Sequence, residues 1–107
     1  MERRQSARVP LDAPCLLTLV LNYEDTQTGM VIDVSEGGVQ IALSPGASQG
    51  DVVPGTPVTL RDVPAPMDRI LEGVHGKIAW VGIRCCGVRL NKPLSITQTD
   101  ITDLSRL

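Results

Sequence analysis

An all-β domain, closed as a barrel or stacked as a sandwich, is the fold class this sequence predicts. Three observations carry that reading. Six short apolar or alternating runs recur at close spacing within 107 residues. Ten glycines and eight prolines fall mostly between them, as many short elements joined by turns require. Apolar residues make up 42% of the chain, enough for one folded core and against a disordered chain.

The elements follow in order. Residues 1–14, with Arg3, Arg4, Arg8, Pro10 and Pro14 and no apolar period, are expected to form a flexible N-terminal arm that becomes ordered near Pro10 or Pro14. CLLTLVLN, 15–22, is a continuous apolar strand, and YEDTQTG, 23–29, is expected to be a polar turn. MVIDV, 30–34, alternates: Met30, Ile32 and Val34 should share one face, with Val31 and an outward Asp33 on the other. VQIAL, 39–43, points Val39, Ile41 and Leu43 inward and Gln40 outward.

Residues 44–57 are a loop by composition, VTL is a short strand and RDVPAPMD a second loop. RILEGVHGKIAWV, 69–81, is expected as one long strand that bends or bulges at Gly73 and Gly76, and RCCGVRL, 84–90, as its partner. In LSITQTDITDLSRL the spacing of Ile96, Ile101, Leu104 and Leu107 turns helical. Asp100 and Asp103 lie early and Arg106 late, which suits a short C-terminal α-helix, with Thr97 or Thr99 as its cap. No internal repeat or second domain is visible, so 15–107 is read as one domain behind the arm.

Composition excludes several functions. A net charge of −2 is no general attractor for nucleic acid, and one Trp, one Tyr and no Phe leave few rings to stack on bases. Cys15, Cys85 and Cys86 contain no CxxC pair and His75 is the single His, too few ligands for zinc; free thiols are expected. His75 is read as a surface strand residue, and no Ser, Cys or carboxylate set surrounds it for a catalytic triad. Trp80 is read as core or barrel rim ahead of a platform for a ligand, since large aromatics usually serve packing, and Asp62 and Asp68 are read as solvated charge. No apolar run spans a membrane and the N-terminal residues do not form a signal peptide, so a cytoplasmic setting without membrane insertion is expected.

Two short patterns carry chemistry. In RRQSAR, Arg4 and Arg8 are separated by three residues; guanidinium forks suit phosphate oxygens and the O6/N7 edge of guanine, though tail arginines are often plain solvated charge. About 25 residues further on stands Asp33-Val34-Ser35-Glu36-Gly37-Gly38. A carboxylate can accept from guanine N1 and N2, and a hydroxyl and free N–H groups can bind phosphate. The glycines allow positive φ or close approach of a ligand. The same residues also suit an Asx or Ser turn closing a hairpin.

Together these residues resemble the signature of the PilZ domain family: R-x-x-x-R at 4–8, then D-x-S-x-x-G at 33–38, then GKIAWV and GVRL as late strands ahead of a helix. The resemblance spans nearly the whole chain. It implies a six-stranded antiparallel β-barrel with a helix, and a non-enzymatic receptor or adaptor for the bacterial second messenger cyclic di-GMP, with no other cofactor and no metal. Carried over position by position, Arg4 and Arg8 clamp phosphates and guanine edges. Asp33 and Ser35 hold the other side of the ligand, and Gly38 keeps the barrel wall low. Gly37 is an additional candidate, and Arg3 a candidate for a second, stacked nucleotide. Leu90 stands where the family often has Phe, a core change that should not touch the ligand.

The implied mechanism is an arm that orders over the barrel on binding and alters a surface offered to a downstream effector protein, since no attached domain is visible; a monomer or weak homodimer is expected. The rival readings are a PilZ-type protein-interaction domain that does not sense nucleotide, a small phosphodiesterase, and an OB-like or SH3-like nucleic-acid binder. The intact motifs oppose the first. The lack of a metal cluster or general-base pair opposes the second. Acidic charge and scarce aromatics oppose the third.

Overall fold

A computed structural model of the chain describes residues 9–10, 15–44 and 52–94. Its elements are β1 (Val9–Pro10), β2 (Leu16–Leu21), β3 (Asp25–Val34), β4 (Gly38–Leu43), β5 (Pro57–Arg61), α1 (Asp68–Leu71), β6 (His75–Gly82) and β7 (Cys85–Leu90). The C-terminal helix expected beyond Leu94, and the arm apart from Val9 and Pro10, lie outside the described residues.

Strands β2, β3, β4, β7, β6 and β5 pair in that order, every pair antiparallel, and β5 returns to β2. The ring is a closed six-stranded barrel, as the sequence implied, and closure removes the open edges of a sheet. β1 attaches to it as a short seventh strand along β3.

Alternation fills the interior. Leu17, Leu19 and Leu21 on β2, Val39, Ile41 and Leu43 on β4, Val58 and Leu60 on β5, and Cys86, Val88 and Leu90 on β7 are all buried. Leu90 is therefore a core residue, in line with its reading as a core substitution.

Three local expectations need correction. The polar turn expected over 23–29 is confined to Asn22–Glu24, and β3 already begins at Asp25. Asn22 and Tyr23 both take left-handed φ, 54° and 65°, and the Glu24 amide donates to Leu21 O at 3.1 Å. Two consecutive left-handed residues make a tight hairpin turn whose twist matches the strands. DTQT is held in β3 by pairing with β2 rather than by burial, so it shows no apolar alternation.

The long strand expected over 69–81 is two elements. Asp68–Leu71 is a one-turn helix, and the strand starts only at His75. Met67, Ile70, Leu71 and Val74 all pack on the core, at the i, i+3, i+4, i+7 spacing of a helix. Gly73, at φ +75°, then turns the chain back: its amide donates to Leu60 O and the Leu60 amide to Val74 O. Glu72 fastens this excursion, accepting from the Val63 amide at 2.9 Å and lying 3.7 Å from Arg61 Nη1.

The third correction concerns the faces of β3. Met30 and Ile32 point outward, 40% and 36% exposed, whereas Val31 and Val34 are both buried. Two residues of opposite parity share the interior because the register with β4 shifts between Val31 and Asp33. This β-bulge leaves Ile32 unpaired in the register with β4 and turns Asp33 to the outer face beside it.

Leu60, fully buried at the barrel centre, tests this packing. Leu60→Ala should cost about 2–5 kcal/mol in urea unfolding, and exposed Thr26→Ala no more than ~0.5 kcal/mol. Equal losses would contradict the assignment of the core.

Candidate functional site

The turn after β3 is built from the D-x-S-x-x-G residues. Ser35 is 8% exposed; its amide donates to Gly38 O at 2.9 Å and its hydroxyl to the same oxygen at 3.3 Å. The hydroxyl thus closes the hairpin, the structural role that such turns allow. The turn's other carbonyls face the end of β7. Gly37 O accepts from the Leu90 amide at 2.9 Å and Glu36 O from the Leu94 amide at 2.8 Å. The tip of the motif is therefore tied down by two neighbouring backbone segments.

Gly38 is required for space rather than for an unusual backbone angle. A Cβ there would meet Val88 O at 2.9 Å, because β4 and β7 approach closely at this point. Gly37 faces open space and carries no such demand. Asp33, half-buried, stands on the outer wall beside Gln40 of β4. Arg3, Arg4 and Arg8 lie outside the described residues. β1, however, pairs Val9 with Val34 and Pro10 with Asp33. The residues that follow Arg8 in the chain therefore run along the strand that carries Asp33.

Trp80 lies outside the core, one of the two places expected for it. It is 37% exposed and stands on the outer wall. Strict alternation from buried Ile78 would turn it inward. Instead the register of β6 against β7 shifts between Ile78 and Trp80, a second bulge that turns the indole out. The ring lies over Gly87: a Cβ on Gly87 would overlap the indole at Nε1, Cε2 and Cδ1. Backbone pairing then lines up Asp33, Gln40, Gly87 and Trp80 across β3, β4, β7 and β6. At ~4.8 Å per strand this row is about 14 Å wide. It is a shelf with a carboxylate at one end, an amide beside it and an aromatic plane at the other. Sequence alternation alone misses Trp80; the signal available is the glycine at 87, which leaves the space on which a large ring can rest.

A cleft of about 440 Å³ lies near the β2–β3 turn and is lined by residues including Asn22, Asp25, Val53 and Thr56. Another, of about 390 Å³, is lined by residues including Val74, His75, Lys92 and Leu94. Neither includes a residue of the row. His75 is exposed, as expected, with Nδ1 2.9 Å from Thr59 Oγ1. All three cysteines are free; burial and the neighbouring Cys85 push the Cys86 thiol up to about 11, so it is protonated at neutral pH. Among the described residues no group of three or more His, Cys, Asp or Glu could hold a metal ion, and no helix is long and apolar enough to cross a membrane.

The fit between indole and glycine is open to test, because Trp80 is the sole tryptophan of the chain. Gly87→Ala should lift the ring into water and shift its emission to longer wavelength, with the β-sheet circular dichroism retained. An unchanged emission maximum would show that the ring does not rest on Gly87.

Comparison with protein families gives a match to the PilZ domain over residues 2–107. No curated protein matches the chain. The match spans the arm, the motif turn, the barrel and the C-terminal stretch. This chain belongs to the PilZ domain family, a family of non-catalytic receptor and adaptor modules.

Proposed function

We propose that this protein is a receptor for cyclic di-GMP that acts as an adaptor in bacterial second-messenger signalling. The observation that carries the reading is the pairing of β1 with β3, which runs the chain just past Arg8 alongside Asp33. The chain that follows the first half of the family signature thus lies beside the strand that carries the head of the second. Family membership supports the same reading.

Each residue then has a task set by its chemistry. Asp33 accepts from the N1 and N2 donors of one guanine. Arg4 and Arg8 supply charge-assisted forks to phosphate and to guanine edges, and Arg3 extends that set. Trp80 offers a flat apolar surface on which a guanine stacks, a contact worth about 1–3 kcal/mol per base. Ser35 and Gly38 act mainly by shaping the turn: the hydroxyl fixes it, and the missing side chain keeps the wall low. The ligand is a dianion, so the local arginines matter more than the net charge of the chain, which is screened beyond ~8–10 Å.

Binding fixes the arm over the shelf. Ordering each residue costs on the order of 1–2 kcal/mol, offset by the charge-assisted contacts, so arm closure and ligand occupancy are coupled. The closed arm presents a different surface to an effector protein, which is the output.

Calorimetric titration with cyclic di-GMP tests this. The intact chain should bind, and Arg8→Ala and Asp33→Ala should each weaken binding by ~10-fold or more, the loss expected for a hydrogen bond to a charged group. Unfolding midpoints should stay close to that of the parent. Absence of binding by the intact chain would leave the protein as an interaction domain that does not sense nucleotide.

A further inference from the structure

We propose that Lys77 and Arg89 form a second anion subsite on the barrel wall, which takes a phosphate of cyclic di-GMP bound on the Asp33–Trp80 shelf. The inference rests on the receptor reading above and adds to it two residues outside both signature motifs.

Three observations carry it. First, Lys77 on β6 and Arg89 on β7 are paired directly opposite each other and both are exposed, between the buried neighbours Gly76, Ile78, Val88 and Leu90. Both heads therefore project from the same outer face. Like charges directly opposite each other in a sheet destabilise it, and neither makes an ion pair among the described residues. A barrel that keeps this repulsion gains if an anion bridges the two.

Second, the strands that carry and flank them on the β4 side hold no acid, Glu36 lying in the turn ahead of β4. β4, β7 and β6 are neighbours in the ring and contain no Asp or Glu, while β6 and β7 carry His75, Lys77 and Arg89. This occurs in a chain with 12 acidic against 10 basic residues, so the positive face is a local feature.

Third, the pair adjoins the shelf. Arg89 pairs with Gly38, the glycine that ends the motif turn, and lies two positions along β7 from Gly87, on which the indole rests. Two residues of strand span ~7 Å, within the reach of an arginine side chain. Gly38 has no side chain to shield the guanidinium on that flank, and Lys77 stands on the other. A nucleotide stacked on Trp80 therefore has a phosphate beside a guanidinium fork and an ammonium, the pairing that suits phosphate oxygens. This pair meets the dianion from the β7 side of the shelf, across from Asp33 on β3.

The test is calorimetric titration of the full chain with cyclic di-GMP at two salt concentrations, for the parent, Arg89→Ala, Lys77→Ala, the double variant and Lys92→Ala as an exposed basic control. Arg89→Ala should weaken binding by ~10-fold. The double variant should lose more and show a shallower salt dependence, and Lys92→Ala should match the parent. Thermal midpoints of the two single variants should be equal to or above the parent's, since each removes a like-charge pair; a structural role would lower them. Parent-like affinity in both Arg89→Ala and the double variant overturns the subsite and leaves the receptor reading intact. Failure of the parent itself to bind overturns the receptor reading and the subsite with it.

Discussion

Two β-bulges determine what this barrel presents to solvent. In a closed ring of six antiparallel strands, inside and outside alternate strictly, and a single added residue reverses the sense for everything beyond it. The bulge at Val31–Asp33 keeps Val31 and Val34 in the core while releasing Asp33 to the outer wall. The bulge at Ile78–Trp80 does the same for an indole that would otherwise enter the core. The core is lined mainly by Leu, Ile and Val, and these irregularities give the exterior a carboxylate and an aromatic plane in one row.

The row depends on small residues as much as on large ones. Gly87 makes a seat for the ring, and Gly38 lets β4 approach β7 at the end of the motif turn. Ser35 and the carbonyls of Glu36 and Gly37 tie that turn to itself and to the residues around Leu90 and Leu94. The motif is therefore mostly scaffold: Asp33 stands on the outer wall, and the rest of the motif closes the turn that follows it. β1 runs along the same strand, with Pro10 paired to Asp33.

Much of this was legible in the sequence. The alternation of VQIAL and the continuous run of CLLTLVLN gave the strands of the core, and the two signature motifs pointed to the strand that carries the carboxylate. Asp33 was expected outside, but by simple alternation from an inward Met30; the structure turns Met30 and Ile32 outward and reaches the same result through the bulge. The size of Trp80 favours core or rim over a ligand platform, because large aromatics usually serve packing, and the bulge that turns the ring out leaves no trace in a period-2 pattern. The helix at Asp68–Leu71 was hidden because Met67, Ile70, Leu71 and Val74 straddle a loop composition and a strand-like run. The polar half of β3 was hidden because pairing, not burial, holds it.

The central claim is that cyclic di-GMP lies along the Asp33–Gln40–Gly87–Trp80 row. Nuclear magnetic resonance of the chain titrated with the nucleotide measures this directly. The account predicts the largest amide shifts at Asp33, Gln40 and Gly87, together with intermolecular Overhauser contacts between a guanine H8 proton and the Trp80 indole ring. Shifts confined to the cleft around Val53 and Thr56, with the indole of Trp80 undisturbed, would contradict it.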